Sequence, residues 1–327
     1  MIKEVTKIPL YRIRTFGEKV SVTFDFLRQN WRLWLQLNCY ILLPLCLLQA
    51  LTLNAMASGI IEGGMLSESV GDIMPSELQD GLTYLLSYLC MLFLSFVGAA
   101  LEASIIFSMM RYDREQPKGL NGATPKDLKP LIFKALRRSI VLLLIMTMLV
   151  VLYFVVMIML STVSFLFLAI GIILFFVLAI ALSHSLPVYL LEEDMTAFGS
   201  IGRGFMLGWL TWGGTLLLMI VIGFLAGILQ GITTFPWYVC MIIKMIFAFN
   251  DEGGSFTSTV FYDFIMYLLA VLQAFGVFLT SSFSFIALAY QYGSAAEQRD
   301  HFSVDEDIER FENMVENVDE IANFDKL

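Results

Sequence analysis

The stretch Ile140–Leu191 reads IVLLLIMTMLVVLYFVVMIMLSTVSFLFLAIGIILFFVLAIALSHSLPVYLL and contains no Asp, Glu, Lys or Arg. As a single helix it would be about 78 Å long, whereas the hydrocarbon core of a membrane is about 30 Å thick. The stretch must therefore fold back on itself, and the polar run Ser161–Ser164 is the expected turn. This predicts two membrane spans joined by a short connection.

The same length criterion, applied to the whole chain, predicts an all-α, polytopic integral membrane protein. The composition agrees, because 58% of the residues are hydrophobic and only 15% are charged, against about 25% charged in soluble domains. The apolar runs do not alternate as the strands of a barrel would. Six transmembrane helices are predicted, at Leu33–Ala57, Leu82–Met110, Ile140–Leu160, Phe165–Leu191, Gly213–Thr233 and Phe264–Tyr290.

Lysine and arginine are distributed on one side of these spans. Nineteen of the 20 fall before the first span, in the connections after the second and fourth, or after the sixth; Lys244 alone falls on the other side. Positively charged flanks stay in the cytoplasm, so both termini are predicted to be cytoplasmic. The chain then divides into a cytoplasmic segment (1–32), a transmembrane domain (33–290) and an acidic cytoplasmic tail (291–327).

A short amphipathic pattern precedes three of the spans and predicts a threefold internal repeat. Apolar residues recur at offsets 0, 3 and 7, on one helical face, with an arginine turned away from it. The three sets are Phe24, Leu27 and Trp31; Phe133, Leu136 and Ile140; and Phe198, Ile201 and Phe205. The simplest interpretation is three hairpins, each preceded by a cytoplasmic interfacial amphipathic helix; chance is the alternative, since Phe and Leu are abundant.

Local signals refine these elements. In the first copy, apolar residues also recur at every second position, as in a strand. An exposed strand edge at the bilayer would be costly, so a helix is favoured. Thr124 and Asp194 are the expected helix caps before the second and third copies. The apolar run Phe235–Phe249 is too short for a span and contains Pro236, which predicts a separate interfacial or re-entrant piece.

Two parts of the chain resemble a known family. They run from Gly17-Glu18-Lys19-Val20 to Asn30-Trp31, and from Pro187-Val188-Tyr189-Leu190-Leu191-Glu192-Glu193-Asp194 into Ala197 and Arg203-Gly204-Phe205. The chain is similar there to the bacterial six-span membrane domain that is fused to some glycerophosphodiester phosphodiesterases. The resemblance implies a bacterial inner-membrane protein. It implies no reaction, because the catalytic barrel of those fusions needs about 250 residues and we expect none here.

Three residues form a candidate intramembrane polar site. Glu102 and His184 lie at similar expected depths in spans two and four, and ionisable residues inside a membrane are candidates for function. Pro187 frees the carbonyl of Ser183 beside the histidine. We hypothesise that Glu102 and His184 face a shared cytoplasmic-side cavity; the alternative is a buried polar pair that fixes helix packing.

Span five carries a predicted helix-packing face, formed by Gly223, Gly227 and Gly231. Glycines four residues apart lie on one face and let a second helix approach closely. The partner helix is either internal or in another protomer, so a homo-oligomer is possible. In span six, Gln273, Gly276, Thr280, Ser284 and Ala287 form a small and polar stripe, which is typical of a bundle-facing side and less so of a pore.

The acidic tail is the feature that most resembles a binding segment. A capping box at Ser303 precedes apolar residues spaced by three and four, which predicts an acidic amphipathic helix. Its charge opposes binding to an anionic lipid surface, so we expect it to dock on a basic one, either the protein's own loop Arg111–Arg138 or another protein. The predicted docking residues are Val304, Ile308, Phe311, Val315 and Val318.

The sequence contains no motif for nucleotide binding, metal binding or nucleophilic catalysis. The four cysteines lack metal-binding spacing, and we expect no cofactor, no metal and no nucleic-acid partner. The most economical function is a non-catalytic scaffold or accessory subunit that docks a partner on its cytoplasmic face. A transporter or channel for an ion, a lipid or another small molecule is the alternative, and an intramembrane enzyme is the least favoured class.

Overall fold

The computed structural model describes residues 7–66, 75–248, 257 and 259–301. Within these residues the regular structure is entirely helical, as the sequence predicts. The helices are α1 (Phe16–Ile41), α2 (Leu43–Leu66), α3 (Pro75–Glu115), α4 (Pro125–Ser161), α5 (Phe165–Leu182), α6 (Ser185–Leu191), α7 (Ala197–Leu210), α8 (Trp212–Ala248) and α9 (Val260–Asp300).

Five of the described helices are long and apolar enough to cross a membrane. They are α3, α4, the α5–α6 pair, α8 and α9. A sixth span exists if α1 and α2 count as one, but these two are bent by 55° at Leu42. The predicted first span, Leu33–Ala57, is therefore interrupted. Pro44 accounts for the break, because its ring lacks an N–H and cannot sit against the carbonyl of Tyr40 one turn earlier.

The helix ends follow the cap signals of the sequence in most places. The predicted turn is confirmed: α4 ends at Ser161, and the Ser164 side chain accepts the backbone N–H of Leu166 at the start of α5. Thr124 forms a capping box with Asp127 at the start of α4. The predicted cap at Asp194 is wrong. The cap of α7 is Thr196, whose hydroxyl accepts the backbone N–H of Gly199.

The amphipathic segments differ from one another in the structure. The first copy is helical, as favoured, except for a kink at Asn30, whose backbone is non-helical. It lies in α1, which packs against α2, α3, α4, α8 and α9. The second copy is continuous with the span in α4 rather than a separate helix. The third copy is α7, which is separated from α8 by the non-helical backbone of Thr211.

The prediction of a separate piece at Phe235–Phe249 is wrong, because α8 continues without interruption to Ala248. Pro236 is accommodated inside the helix, which membrane helices tolerate when other groups satisfy the freed backbone. The indole N–H of Trp237 donates to Asn54 of α2 at 3.1 Å, and Lys244 pairs with Asp263 of α9 at 2.8 Å. The end of α8 is thus fixed to its neighbours.

The core lies mainly among α1, α3, α6 and α9. Helix α9 extends beyond the predicted domain end at residue 290, and its side chains from Ile286 to Glu297 are buried. By contrast, only 11% of the most apolar window of α4 is buried, against 44% for α3. The α4–α5 hairpin therefore stands at the edge of the bundle, with most of its apolar surface uncovered by the rest of the chain.

Candidate functional site

Glu102 lies fully buried in α3, within a chain of hydrogen bonds from three helices. The indole N–H of Trp34 in α1 donates to the hydroxyl of Ser282 in α9 at 2.9 Å, and that hydroxyl donates to Oε1 of Glu102. The second carboxyl oxygen, Oε2, has no hydrogen-bond partner among the described residues. The carboxyl is therefore held by neutral donors rather than by a cation.

His184 lies at the break between α5 and α6 and is also fully buried. Its Nδ1 is 3.4 Å from the hydroxyl of Ser183, while its Nε2 has no partner. Pro187 is buried in the first turn of α6, so the helix breaks one turn before it, as the missing N–H requires. His184 thus lies at the break between α5 and α6 that Pro187 causes.

The structure does not bring Glu102 and His184 into contact. Each has its own hydrogen-bonding neighbours, Ser282 for the glutamate and Ser183 for the histidine. Both side chains have 0% exposed surface, so no water-sized space adjoins either of them. The hypothesised cavity between them is therefore closed in this structure, and their arrangement is that of two separate buried polar groups.

The predicted glycine face is open. A Cβ placed on Gly223, Gly227 or Gly231 would meet nothing within 4 Å among the described residues. No described residue therefore packs closely against this face. Its partner, either internal or in another protomer, stays a prediction.

A different pair of glycines makes the close internal contact that was predicted for α8. Gly204 and Gly208 lie one turn apart on α7, and a Cβ on either would come within 3.0 Å of backbone atoms of Ser185 or Ala181. Small residues on both sides let α7 rest against α5 and α6. The Gly-x-x-x-Gly spacing of this pair was the signal that could have identified it.

Polar side chains converge on the connection between α6 and α7. Glu193 accepts Nζ of Lys134 at 2.5 Å and also pairs with Arg111. These hydrogen bonds, to Lys134 and then to Arg111, hold the pKa of Glu193 below its ordinary value. Arg138 of α4 donates to the backbone carbonyls of residues 192, 193 and 195 at 2.9–3.0 Å. The connection is thus anchored on α3 and α4.

Glu192 continues this network towards the N-terminal segment and α9. Its carboxylate accepts Nε of Arg203 at 3.0 Å and the hydroxyl of Tyr292. Arg203 also pairs with Asp300 at 2.8 Å, next to the point where α9 ends. The hydroxyl of Tyr292 is 3.4 Å from that of Tyr11, which in turn accepts Arg114.

We call this part of the molecule the basic end, defined by Arg111, Arg114, Lys134, Arg138 and Arg203. The sequence placed these cations on one side but did not identify Glu192 and Glu193 as their shared acceptors. Two adjacent acids on a side that holds 19 of the 20 lysines and arginines were the available signal. Ser282 and Trp34 had no such signal, since their role depends on contacts between distant helices.

Two further predictions concern residues elsewhere. The docking residues Val304, Ile308, Phe311, Val315 and Val318 lie outside the described residues. In the part that the structure describes, no group of three His, Cys, Asp or Glu side chains is placed to hold a metal ion. The polar groups described above are thus joined by hydrogen bonds and ion pairs of the chain itself.

No protein-family model, curated protein or solved structure matches this chain. The helices themselves define its class. Five of them, or six with the bent α1–α2 pair, are apolar enough to cross a membrane, which makes the protein a helical, multi-pass membrane protein.

Proposed function

We propose that the protein is a non-catalytic membrane scaffold or accessory subunit that binds a protein partner at its basic end. The observation that carries this proposal is a contrast between interior and surface. The intramembrane groups that could do chemistry, Glu102 and His184, are sealed in the core, whereas other cations on the same side of the chain as the basic end are exposed and have no acceptor among the described residues.

Seven cations of the basic side are exposed and have neither a carboxylate within 4 Å nor a hydrogen-bond acceptor in the described residues. They belong to the N-terminal segment, α1, the α3–α4 connection and α4. Exposed charges of one sign attract an oppositely charged partner and orient it before contact. An acidic protein surface is the expected complement, with the protein's own acidic tail as a competitor. The seven are Arg12, Arg28, Arg32, Lys118, Lys126, Lys129 and Arg137.

The membrane-facing surface supports the same proposal. The α4–α5 hairpin is largely uncovered, and the face of Gly223, Gly227 and Gly231 has open space beside it. Both surfaces could receive helices of a partner subunit or a second copy of the chain. An accessory role explains why so much helix surface is available outside the core.

We further propose six spans arranged as three hairpins, with both termini in the cytoplasm of a bacterial inner membrane. The 19-to-1 distribution of lysine and arginine supports this orientation, and the separate helix α7 supports an interfacial segment before one of the hairpins. The resemblance to the membrane domain of the phosphodiesterase fusions agrees with this arrangement.

Purification in mild detergent, followed by native mass spectrometry, tests the scaffold role. We expect the full chain to retain a protein at fixed stoichiometry, and a variant with Arg12, Lys118 and Arg137 changed to glutamine to lose it. A control for position is Lys244→Gln, which removes one cation, paired with Asp263, from the opposite end and should leave the partner bound. A transporter predicts a different result: no retained protein, and solute flux in vesicles that Glu102→Gln or His184→Ala abolishes.

A further inference from the structure

A groove lies between the end of α1 and the start of α4. It encloses about 380 Å³ and is independent of the buried groups around Glu102 and His184. One wall comes from α1 and the other from the first three turns of α4. The lining residues are Leu37, Tyr40, Ile41, Pro125, Lys126, Lys129, Ile132 and Phe133.

The charge of this groove is uncompensated. Lys126 and Lys129 are exposed and have no carboxylate within 4 Å in the described residues. The neighbouring acid, Asp127, is turned to Thr124, where it accepts the backbone N–H at 2.8 Å and the hydroxyl at 2.7 Å. In the part of the chain that the structure describes, no carboxylate lines the groove, which leaves two positive charges beside an apolar floor.

The polarity of the groove changes along α4 in an ordered way. Lys126, Lys129 and Phe133 follow one another at offsets 0, 3 and 7, so they share one helical face. The charged end is separated from the apolar end by about 10 Å of helix. Phe133 and Tyr40 are 63% and 74% exposed, so their apolar surface is available to a ligand.

The apolar end of the groove continues into the membrane-facing surface. Beyond Phe133, α4 exposes Arg137 and then Val141 and Leu144, and α2 exposes Leu43 and Leu47 beyond Ile41. An occupant must therefore be anionic at one end and apolar at the other, with its apolar part entering from the bilayer. A phospholipid with a net negative headgroup meets both conditions.

We propose that this groove binds an anionic phospholipid. Lys126 and Lys129 hold the phosphate, and the acyl chain lies along Phe133, Tyr40 and Ile41 towards the exposed leucines. The lysines discriminate by charge, because an anionic headgroup gains the attraction of both and a zwitterionic one carries its own cation. Basic pockets between membrane helices are recognised in this way by anionic lipids.

The test is native mass spectrometry of the full chain in detergent, with phosphatidylglycerol or phosphatidylcholine added. We expect phosphatidylglycerol to bind preferentially. The double variant Lys126→Gln with Lys129→Gln should weaken its binding by about tenfold or more, since each basic residue near an anionic lipid contributes about 1 kcal/mol. Glutamine is one atom shorter than lysine but is uncharged, polar and of similar helix propensity, so folding should be preserved.

A matched double variant, Arg12→Gln with Lys118→Gln, removes the same charge from exposed positions outside the groove and should leave binding within about twofold. Equal weakening in both double variants would overturn the proposal, because net charge alone would then explain the binding. Equal affinity for the two lipids would overturn it as well.

The acidic tail is the alternative occupant, and truncation after His301 distinguishes it. If the lipid occupies the groove, phosphatidylglycerol binding should be the same in the truncated and full chains. A severalfold gain on truncation, lost again in the Lys126→Gln, Lys129→Gln background, would show that the tail fills the groove and would overturn the lipid assignment.

Discussion

Ser282 and Trp34 explain how the bundle tolerates Glu102. An unsatisfied polar group in a membrane-embedded core is costly, and the Trp34–Ser282–Glu102 chain satisfies one carboxyl oxygen with a donor that is itself hydrogen-bonded. Such consecutive hydrogen bonds polarise one another. The arrangement requires an acceptor at position 102 but gives no reaction partner within reach.

The first prediction distinguishes the effect of the negative charge of Glu102 from the effect of its size and hydrogen bond. Glu102→Gln keeps an oxygen that accepts the Ser282 hydroxyl, so we expect the free energy of unfolding to change by less than about 1 kcal/mol. Glu102→Ala removes the acceptor and leaves a void, at a cost of about 2–4 kcal/mol. Thermal unfolding in detergent measures both.

The control on the same helix is Glu115→Ala, which removes an exposed acid paired with Arg111 and should cost less than about 1 kcal/mol. If Glu102→Gln destabilised the protein as much as Glu102→Ala, the carboxyl group itself would be required, and the packing role would be wrong. Sequence reasoning identified Glu102 from its place in an apolar run. It could not identify Ser282, which is 180 positions away.

At the scale of elements, the two sets of glycines show that spacing alone does not identify which helix face is packed. Gly223, Gly227 and Gly231 have the longer pattern, yet α8 turns this face away from every described helix. Gly204 and Gly208 have only one Gly-x-x-x-Gly step, but α7 is short and lies directly against the α5–α6 break. Which face a helix buries depends on its neighbours, and a single sequence does not contain that information.

A matched pair of substitutions tests this assignment. Gly208→Ala places a methyl group against the backbone of Ala181, so we expect a loss of about 1–3 kcal/mol in the free energy of unfolding. Gly227→Ala meets open space and should be neutral or stabilising by up to about 1 kcal/mol, because alanine is the better helix former. The measurement is the unfolding midpoint of each variant in detergent at low protein concentration.

Equal effects of the two substitutions would contradict the packing of α7. A loss in Gly227→Ala that appears only at high protein concentration would have another meaning, since it would show that a second chain covers the α8 face. The same experiment thus also addresses the predicted homo-oligomer.

At the scale of the whole molecule, the sequence predicted the class and most of the spans because those depend on length and hydropathy. Uninterrupted apolar runs produced α4 and α5 with the correct turn. Two of the errors lie where a proline decides the local backbone: Pro44 breaks the predicted first span, and Pro236 does not break α8. The ring removes one backbone hydrogen bond at each position, but surrounding contacts decide whether the helix ends there.

The distribution of lysine and arginine over the whole chain predicts the orientation of the protein in the membrane, and cysteine labelling tests that orientation. The α3–α4 connection contains Lys118, and the α4–α5 turn contains Val163, whose side chain is 77% exposed. If α4 crosses the membrane, these two positions lie on opposite sides, with Lys118 in the cytoplasm. In a variant without the native cysteines, we expect Val163→Cys to react with a membrane-impermeant maleimide in intact spheroplasts. Lys118→Cys should react only after permeabilisation.

The reverse labelling pattern would show that the topology is inverted. Labelling of both positions from one side would show that α4 does not span the membrane, because its 37 residues would then have to lie along the membrane surface.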